Sequence, residues 1–278
     1  MQIIFGKRIN MRIGTQDFYT DENTYIMGIL NVTPDSFSDG GKYHKIDTAL
    51  KKAEEMIKDG AAIHDIGGES TRPGYTPVSE TEEMERVLPV IEAVKERFSI
   101  PVSVDTYKSN VAEAAILAGA DLINDIWGLK ADPKMAEVIA KYQVACCLMH
   151  NRTSIEYVNF LDDVLQDLQE TLNLAKEAGI PESKIILDPG VGFAKDYEQN
   201  LEVMRNLRKI KELGYPVLLG SSRKSVIGLT LDLPSEERLE GTLATTVAAV
   251  EQGAAFVRVH DVKENARAIK MAQAIYRR

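Results

Sequence analysis

Short apolar segments alternate with longer amphipathic segments along most of the chain. The short segments have the length and composition of buried strands, and there are eight of them: YIMGIL, AAIHDI, PVSVD, ADLIND, VACCLMH, KIILD, PVLLG and AAFVRVH. The amphipathic segments predict helices at residues 46–59, 80–98, 110–118, 134–142, 161–178, 201–213, 236–252 and 262–275. The chain therefore repeats a strand followed by a helix about eight times.

This repeat predicts an α/β fold, a closed (β/α)8 TIM barrel, which needs that number of units. No linker or low-complexity tract marks a domain boundary, so we expect a single domain over residues 1–278, with the barrel in residues 25–278. Within residues 1–24, the alternating stretch QIIFGKRINMRIG predicts a β-hairpin. The same repeat also permits a doubly wound open sheet, although no GxGxxG motif follows the first strand.

The chain is acidic, with a formal net charge of −9 and a pI of about 5.1. This charge argues against general attraction to nucleic acid or to an anionic membrane, so an anionic ligand must meet local positive charge. The adjacent Cys146 and Cys147 cannot join distant parts of the chain, which indicates a reducing compartment. No apolar run approaches the length of a membrane span and MQIIFGKRIN lacks a secretory signal, so we expect a cytoplasmic protein.

Polar residues follow almost every predicted strand. In chain order they are Asn31, the stretch DIGGESTRPG, Asp105, Asn124 with Asp125, His150, Asp188, the stretch SSRKS, and Arg258 with His260. Ligand sites of such barrels form at these strand ends. A single polar residue there can equally cap a helix or anchor a turn, and this alternative stays open for Asp65, Glu69 and Asp125. For all strands together it is a poor explanation, because charges are rarely buried singly.

The charges at the strand ends also differ by region. Asp105, Asn124 and Asp188 offer acceptors that suit a flat ring rich in N–H donors. The second group is Arg72, Arg258 and His260 with Asn31, which suits a polyphosphate and a shared divalent cation. Lys224 and Ser225 lie at the start of a helix, where free backbone N–H groups favour an anion.

The loop in GILNVTPDSFSDGG places one large apolar side chain, Phe37, among polar turn-forming residues. Burying these neighbours permanently would leave backbone polar groups without partners, so a mobile loop is the better explanation. We expect this loop and STRPG to act as lids over the barrel mouth, with Gly40 and Gly41 as the hinge of the first. By contrast, His64, Cys146 and Cys147 are interpreted as packed residues without a role in the site.

Seven motifs resemble the dihydropteroate synthase family of folate biosynthesis. They are MGILNVTPDSFSDGG, DIGGESTRPG, SVDTYKS, INDIWG, ILDPGVGF, GSSRKSVIG and VRVHDV, and they extend in order over nearly the whole chain from Tyr25. The resemblance implies a pterin-binding transferase that joins 6-hydroxymethyl-7,8-dihydropterin diphosphate to p-aminobenzoate and releases pyrophosphate. It further implies Mg²⁺ as cofactor, sulfonamides as p-aminobenzoate mimics, and a homodimer.

The resemblance also implies roles for individual residues. Asp105, Asn124, Asp188 and Lys224 would hold the pterin; Asn31, Thr71, Arg72, Arg258 and His260 would hold the diphosphate, with Asn31 at the Mg²⁺; and Phe37, Pro73, Lys224 and Ser225 would border p-aminobenzoate. Asp35, Lys224, Arg258 and His260 are the expected catalytic residues, with Asp35 facing the cationic methylene.

The sequence departs from the family pattern in two places. His64 stands where an aliphatic residue is expected before DIGGES, and MHNRTSIEYVNF is a variable segment. Two alternative functions are a methyltetrahydrofolate-dependent methyltransferase barrel and a catalytically silent pterin-binding paralogue. The methyltransferase handles no diphosphate, and a silent paralogue should have lost part of the residue set that is present here.

Overall fold

Eight parallel strands form the centre of this computed structural model, which describes residues 10–32, 42–69 and 77–276. The strands are β3 (Tyr25–Asn31), β4 (Ile63–Gly67), β5 (Val102–Asp105), β6 (Leu122–Asp125), β7 (Ala145–Met149), β8 (Ile185–Asp188), β9 (Leu218–Leu219) and β10 (Phe256–Val259). They pair in the order β8-β7-β6-β5-β4-β3-β10-β9. A parallel bridge between Leu187 and Val217 connects β8 to the other end of the sheet. The predicted TIM barrel is therefore confirmed.

Helices surround the strands on the outside. They are α1 (Lys42–Asp59), α2 (Glu80–Arg97), α3 (Ser109–Leu117), α4 (Lys134–Tyr142), α5 (Phe160–Glu177), α6 (Tyr197–Arg205), α7 (Leu207–Lys211), α8 (Ser225–Leu231), α9 (Leu239–Glu251) and α10 (Val262–Tyr276), with 3₁₀ turns at Glu182–Lys184 and Ser235–Glu237. No helix among the described residues is long and apolar enough to cross a bilayer.

One predicted helix is interrupted. The apolar periodicity predicts a single helix over residues 201–213, but the structure has α6 and α7 with Asn206 between them. Asn206 leaves the helical conformation at φ −121° and ψ 25°, and its Nδ2 donates to the carbonyl of Glu202 at 2.8 Å. Asparagine side chains compete with the backbone in this way, and hydrophobic periodicity does not report it.

The predicted N-terminal hairpin is confirmed, and its described strands lie within residues 10–19. Its strands are β1 (Asn10–Ile13) and β2 (Gln16–Tyr19), so the stretch QIIFGKRINMRIG supplies only the first of them. The turn comes at Gly14, whose φ of +57° favours glycine. Residues 1–9 of the predicted hairpin lie outside the described part of the chain.

The hairpin packs against the N-terminal end of the barrel. Its buried Met11, Ile13 and Phe18 contact an inner layer of strand residues: Met27, Ile63, Leu122, Ala145, Cys147, Ile186, Leu218, Ala255 and Phe256. Cys146 and Cys147 are both free and buried, and His64 is fully buried in β4, as predicted. Because the hairpin covers this end, the open end of the barrel is the one where the strands finish.

We expect Phe18→Ala to destabilise the fold without altering ligand binding. Phe18 is 2% exposed, and its ring centroid lies 4.9 Å from that of Tyr25 and 5.6 Å from that of Phe256. Removing such a ring costs about 3–5 kcal/mol in the free energy of unfolding. Urea unfolding measures this loss. Tyr19→Ala on the same hairpin is the matched control, because Tyr19 is 45% exposed. Equal losses in the two variants would contradict the packing role of the hairpin.

Candidate active site

The inner faces of the strands change from apolar to polar toward their carboxyl ends. Side chains two residues apart share one face of a strand, so Asp65 follows Ile63, Asn124 follows Leu122, and Arg258 follows Phe256 on the inside of the barrel. Together with Asp105 and Asp188, these residues form what we call the polar layer: Asp65, Asp105, Asn124, Asp188 and Arg258. The polar layer lies directly above the apolar layer that the hairpin covers.

Arg258 joins two carboxylates across the barrel. Its Nε donates to Asp65 Oδ2 at 2.5 Å, and its Nη2 donates to Asp105 Oδ2 at 2.6 Å. Asp65 is fully buried and also accepts from Ser103 Oγ at 2.6 Å and from Asn124 Nδ2 at 3.4 Å. The two carboxylates raise the pKa of Arg258, so the guanidinium stays charged. A partly buried arginine paired in this way fixes the positions of both carboxylates.

One oxygen of Asp105 has no partner within residues 10–32, 42–69 and 77–276. Its Oδ1 is buried and makes no hydrogen bond with any described residue, although Oδ2 is occupied by Arg258. Burial raises the pKa of Asp105 to about 7, against the opposing effect of the Arg258 guanidinium. Buried polar atoms are normally paired, so an unpaired acceptor in an open barrel end is the expected state of a binding group that awaits a donor.

Asp188 of the polar layer interacts electrostatically with Lys224. Asp188 Oδ1 accepts from the backbone N–H of Gly190 at 2.7 Å. Burial raises the pKa of Asp188, and the charge of Lys224 opposes the rise. Conversely, burial lowers the pKa of Lys224 to about 8, and Asp188 opposes that shift. The Lys224 ammonium donates to the carbonyl of Val191 and lies 4.8 Å from the centroid of the Phe193 ring.

His260 belongs to the same open end but is not a cation in this structure. Its Nδ1 lies 3.0 Å from Ser222 Oγ, which also accepts from the backbone N–H of His260 at 3.2 Å. Burial lowers the pKa of His260 to about 3, and the charges of Arg258 and Arg223 add to the shift. In the ligand-free protein at pH 7, His260 therefore differs from the arginines in being a neutral hydrogen-bonding group.

Asn31 and Ser225 lie at the edges of the open end. Asn31 ends β3 and is half-buried, and Gly67 lies close to it, since a Cβ built on Gly67 would sit 3.4 Å from Asn31 Oδ1. Ser225 is exposed at the first residue of α8. No cluster of three His, Cys, Asp or Glu side chains suited to a metal occurs in the described ranges. A metal ion here would therefore need ligands beyond the described carboxylates and histidines.

Several predicted site residues cannot be placed. Asp35, Phe37, Gly40, Gly41, Thr71, Arg72 and Pro73 lie outside the described residues, so their roles and the two proposed lids stay predictions. The residues that the structure does bring together are Asp105, Asn124, Asp188, Lys224, Arg258 and His260. Their assignment to particular ligands also stays a prediction at this point.

Other polar residues near the strand ends have structural partners. Asp125 accepts from the backbone N–H groups of Trp127 at 2.9 Å and Leu129 at 2.7 Å, so it anchors a turn. Glu69 and Glu83 both bind Lys108 Nζ at 2.6 Å. For Asp125 and Glu69 the structural alternative is therefore the better one, whereas Asp65 belongs to the polar layer.

Sequence reasoning gave no role to Asp65 or to the buried Lys195. The signal for Asp65 was its spacing of two from Ile63, which places it on the inner face of β4. The sequence gives no such signal for Lys195. Its bonds to Gly190 and Phe193 are to backbone carbonyls, and its side-chain partner His150 is 45 residues away along the chain.

Comparisons with known proteins agree with one another. Residues 27–260 match the family model described as pterin binding enzyme. Dihydropteroate synthase from Clostridium beijerinckii is 64% identical over 269 residues, which cover 96% of this chain and 100% of that protein. The enzyme from Bacillus subtilis is 59% identical over 254 residues, covering 91% of this chain and 89% of that protein.

Solved structures give the same result. A dihydropteroate synthase from Clostridium difficile, determined in the presence of pteroic acid, has a TM-score of 0.91 at 51% identity and covers 93% of this chain and 98% of its own. The enzyme from Xanthomonas albilineans with 4-aminobenzoic acid has a TM-score of 0.92 at 38% identity and covers 98% of this chain and 100% of its own. A sulfonamide complex of the Yersinia pestis enzyme has a TM-score of 0.90 at 41% identity, covering 96% and 98%.

We expect Asp65→Asn to destabilise the protein strongly. The substitution leaves the Arg258 guanidinium with Asp105 as its one remaining carboxylate among the described residues. Removing one partner of a buried ion pair costs about 3–5 kcal/mol in the free energy of unfolding. Asp17→Asn is the control, because Asp17 pairs with Arg12 at 3.9 Å on the surface, where a pair is worth about 0–1 kcal/mol. If urea unfolding gave equal losses, Asp65 would not be needed to stabilise Arg258.

Proposed function

Because the chain belongs to the pterin-binding enzyme family, we propose that its polar layer is the pterin site of a dihydropteroate synthase. The enzyme joins 6-hydroxymethyl-7,8-dihydropterin diphosphate to p-aminobenzoate, forming 7,8-dihydropteroate and pyrophosphate. The observation that best supports the assignment of the site is the buried Asp105 Oδ1, which has no partner among the described residues.

The polar layer suits the edge of a pterin ring. This edge presents an exocyclic amino group and adjacent ring N–H groups, which are donors for carboxylates. We assign Asp105 Oδ1 and Asp188 to these donors, with Asn124 as an amide partner between them. Arg258 holds Asp105 in place and Gly190 holds Asp188, so both acceptors are oriented before the ligand arrives. Such preorganisation lowers the cost of binding.

The diphosphate is assigned to the positive side of the open end. Arg258 and the imidazole of His260 are the described donors there, and Thr71 and Arg72 are assigned with them from the family motif. Before the ligand binds, the imidazole of His260 is a neutral donor, because its pKa is lowered to about 3. An incoming diphosphate would favour the protonated imidazole, so binding and protonation of His260 are coupled.

Mg²⁺ is assigned to Asn31 and the substrate. One amide oxygen fits Mg²⁺ because this ion commonly binds through few protein ligands together with phosphate oxygens. The absence of a three-residue acidic or histidine cluster among the described residues is consistent with such a shared site. When bound, the ion would neutralise negative charge on the departing pyrophosphate.

The reaction needs little proton transfer from the protein. The C–O bond between the methylene and the diphosphate breaks, and the electron pair leaves with pyrophosphate. The neutral aryl amine of p-aminobenzoate then forms the C–N bond, and the ammonium product loses its proton to water. Arg72, Arg258 and His260 stabilise negative charge on the departing pyrophosphate, and Phe37, Pro73, Lys224 and Ser225 border the attacking amine. No covalent bond to the enzyme forms.

Mixing the two substrates tests this function directly. We expect one pyrophosphate for each dihydropteroate formed, measured by a coupled phosphate assay and by chromatography. EDTA should abolish turnover and excess Mg²⁺ should restore it, because the acidic chain otherwise offers too little positive charge for a diphosphate. Full turnover in EDTA would contradict the assignment of Mg²⁺ but not the proposed reaction. The absence of pyrophosphate would contradict the reaction itself.

Pterin affinity should rise with pH below neutrality. The pKa of Asp105 is raised to about 7, so its carboxyl is mostly protonated at pH 6 and can accept fewer donors. Between pH 6 and the plateau above pH 7, we expect the affinity for 6-hydroxymethylpterin to increase about tenfold, as one pKa unit allows. Calorimetry measures this slope. Asp105→Asn should bind weakly with a flatter profile, and an unchanged slope in that variant would show that another group titrates.

We also propose that the enzyme is a cytoplasmic homodimer. Its outer helices expose apolar side chains, with Leu229 69% exposed on α8 and Met271 62% exposed on α10, and such surface suits contact with a second copy. The free, buried Cys146 and Cys147 suit a reducing compartment. Light scattering should give twice the chain mass of 30.8 kDa, and the mass of a single chain would contradict the dimer.

A further inference from the structure

Loop 189–195, between β8 and α6, surrounds the side chain of Lys224. The carbonyl of Val191 accepts from the ammonium, and the ring of Phe193 lies 4.8 Å from it. Gly192 lies against the aliphatic stem, since a Cβ built there would be 3.2 Å from Lys224 Cδ, at a backbone φ of +82°. The position of Lys224 therefore depends on the conformation of this loop.

Lys195 stabilises loop 189–195 through hydrogen bonds to two of its backbone carbonyls. It is 9% exposed, and its Nζ donates to the carbonyls of Gly190 at 3.1 Å and Phe193 at 3.0 Å. A third bond joins Nζ to His150 Nδ1 at 2.8 Å. A buried lysine is costly unless all its donors are used, and here every one is directed to the loop or to His150.

Asp167 holds His150 in the tautomer that can accept a hydrogen bond from Lys195. Its Nε2 lies 2.9 Å from Asp167 Oδ2, a carboxylate oxygen that also accepts from Arg152 Nε at 2.5 Å. Burial lowers the pKa of His150 to about 4, so the ring is neutral at pH 7. With the proton on Nε2 facing Asp167, Nδ1 is left as an acceptor for Lys195.

A second bond attaches the same loop to segment 150–160, which follows β7. Tyr157 OH donates to the carbonyl of Ala194 at 2.8 Å. Arg152 lies over the Tyr157 ring at 4.4 Å, and Asp167 on α5 holds Arg152. Loop 189–195 is thus joined to segment 150–160 by one bond that involves a buried amine and one that involves a neutral hydroxyl.

From these contacts we propose that Lys195 is a positioning residue: with Tyr157, it holds loop 189–195 in the conformation in which the Val191 carbonyl and the Phe193 ring hold the Lys224 ammonium. Segment 150–160 serves as the support for this loop. Lys195 does not touch substrate and acts through Lys224. Its effect on catalysis rests on the proposed function, but its effect on Lys224 does not.

The state of Lys224 tests the proposal without turnover. Competitive acetylation with acetic anhydride across pH 6–11, quantified by mass spectrometry, reports the pKa of the Lys224 amine. That pKa is lowered to about 8 by burial in the intact protein. Lys195→Met should raise it by about one unit or more, toward the ordinary value of about 10.4. Tyr157→Phe should raise it in the same direction by less.

The two variants separate position from charge. Lys195→Met also removes an amine near Lys224, whereas Tyr157→Phe changes no charge. If only Lys195→Met changed the pKa of Lys224, the effect would be electrostatic and the positioning role would be overturned. If neither variant changed that pKa, the positioning role would also be overturned. Lys95→Met is the control for deleting a lysine, because Lys95 pairs with Asp121 at 2.7 Å away from the polar layer, and it should leave Lys224 unchanged. Circular dichroism confirms that each variant is folded.

Kinetics provides the second readout. Lys195→Met should raise the KM for the pterin diphosphate about tenfold relative to Lys95→Met, a loss of about 1.4 kcal/mol. In a Lys224→Ala background the same change should have no further effect, because residues that act through one another are not additive. Independent, multiplying effects of the two substitutions would overturn the proposal. If the unsubstituted enzyme released no pyrophosphate, the proposed function would fail and the acetylation result would still stand.

Discussion

The open end of the barrel depends on the ion pairs that Arg258 makes with Asp65 and Asp105. Placing three charged groups inside a barrel is unfavourable unless they satisfy one another, since each loses its hydration. Here the guanidinium supplies a donor to each carboxylate, and Ser103 and Asn124 fill further acceptor positions on Asp65. Asp105 Oδ1, which has no partner in the described part of the chain, is the oxygen that we assign to the ligand. Stability and binding thus use the same small set of side chains.

The sequence predicts the barrel well because its two signals are local. Strand and helix periodicities depend on neighbours along the chain, and the residues at strand ends must meet once eight parallel strands close. This is enough to bring Asp105, Asn124, Asp188, Lys224 and Arg258 to one end. The sequence pattern does not predict the interruption at Asn206 or the position of the hairpin turn at Gly14, because each is decided by one side chain or one turn rather than by a period.

The electrostatic state of the site was harder to predict than its location. Nothing in the sequence shows that Arg258 is already paired with two carboxylates or that His260 is neutral, since both follow from burial and from partners far along the chain. The same holds for Lys195, whose partner His150 is 45 residues away. A sequence pattern identifies which residues reach a site. Their charges and hydrogen bonds depend on distances that only the folded chain defines.

The hairpin that covers the N-terminal end of the barrel limits the route by which substrates enter and products leave. Met11, Ile13 and Phe18 pack against the inner strand layer, so the barrel is closed at its N-terminal end. Both substrates must enter, and both products must leave, by a single opening. Whatever occupies the outer part of that opening therefore blocks the inner part, so a ligand held at the polar layer has to enter before the outer part is filled. The sequence of events at this enzyme is thereby constrained by the shape of its scaffold before any affinity is considered.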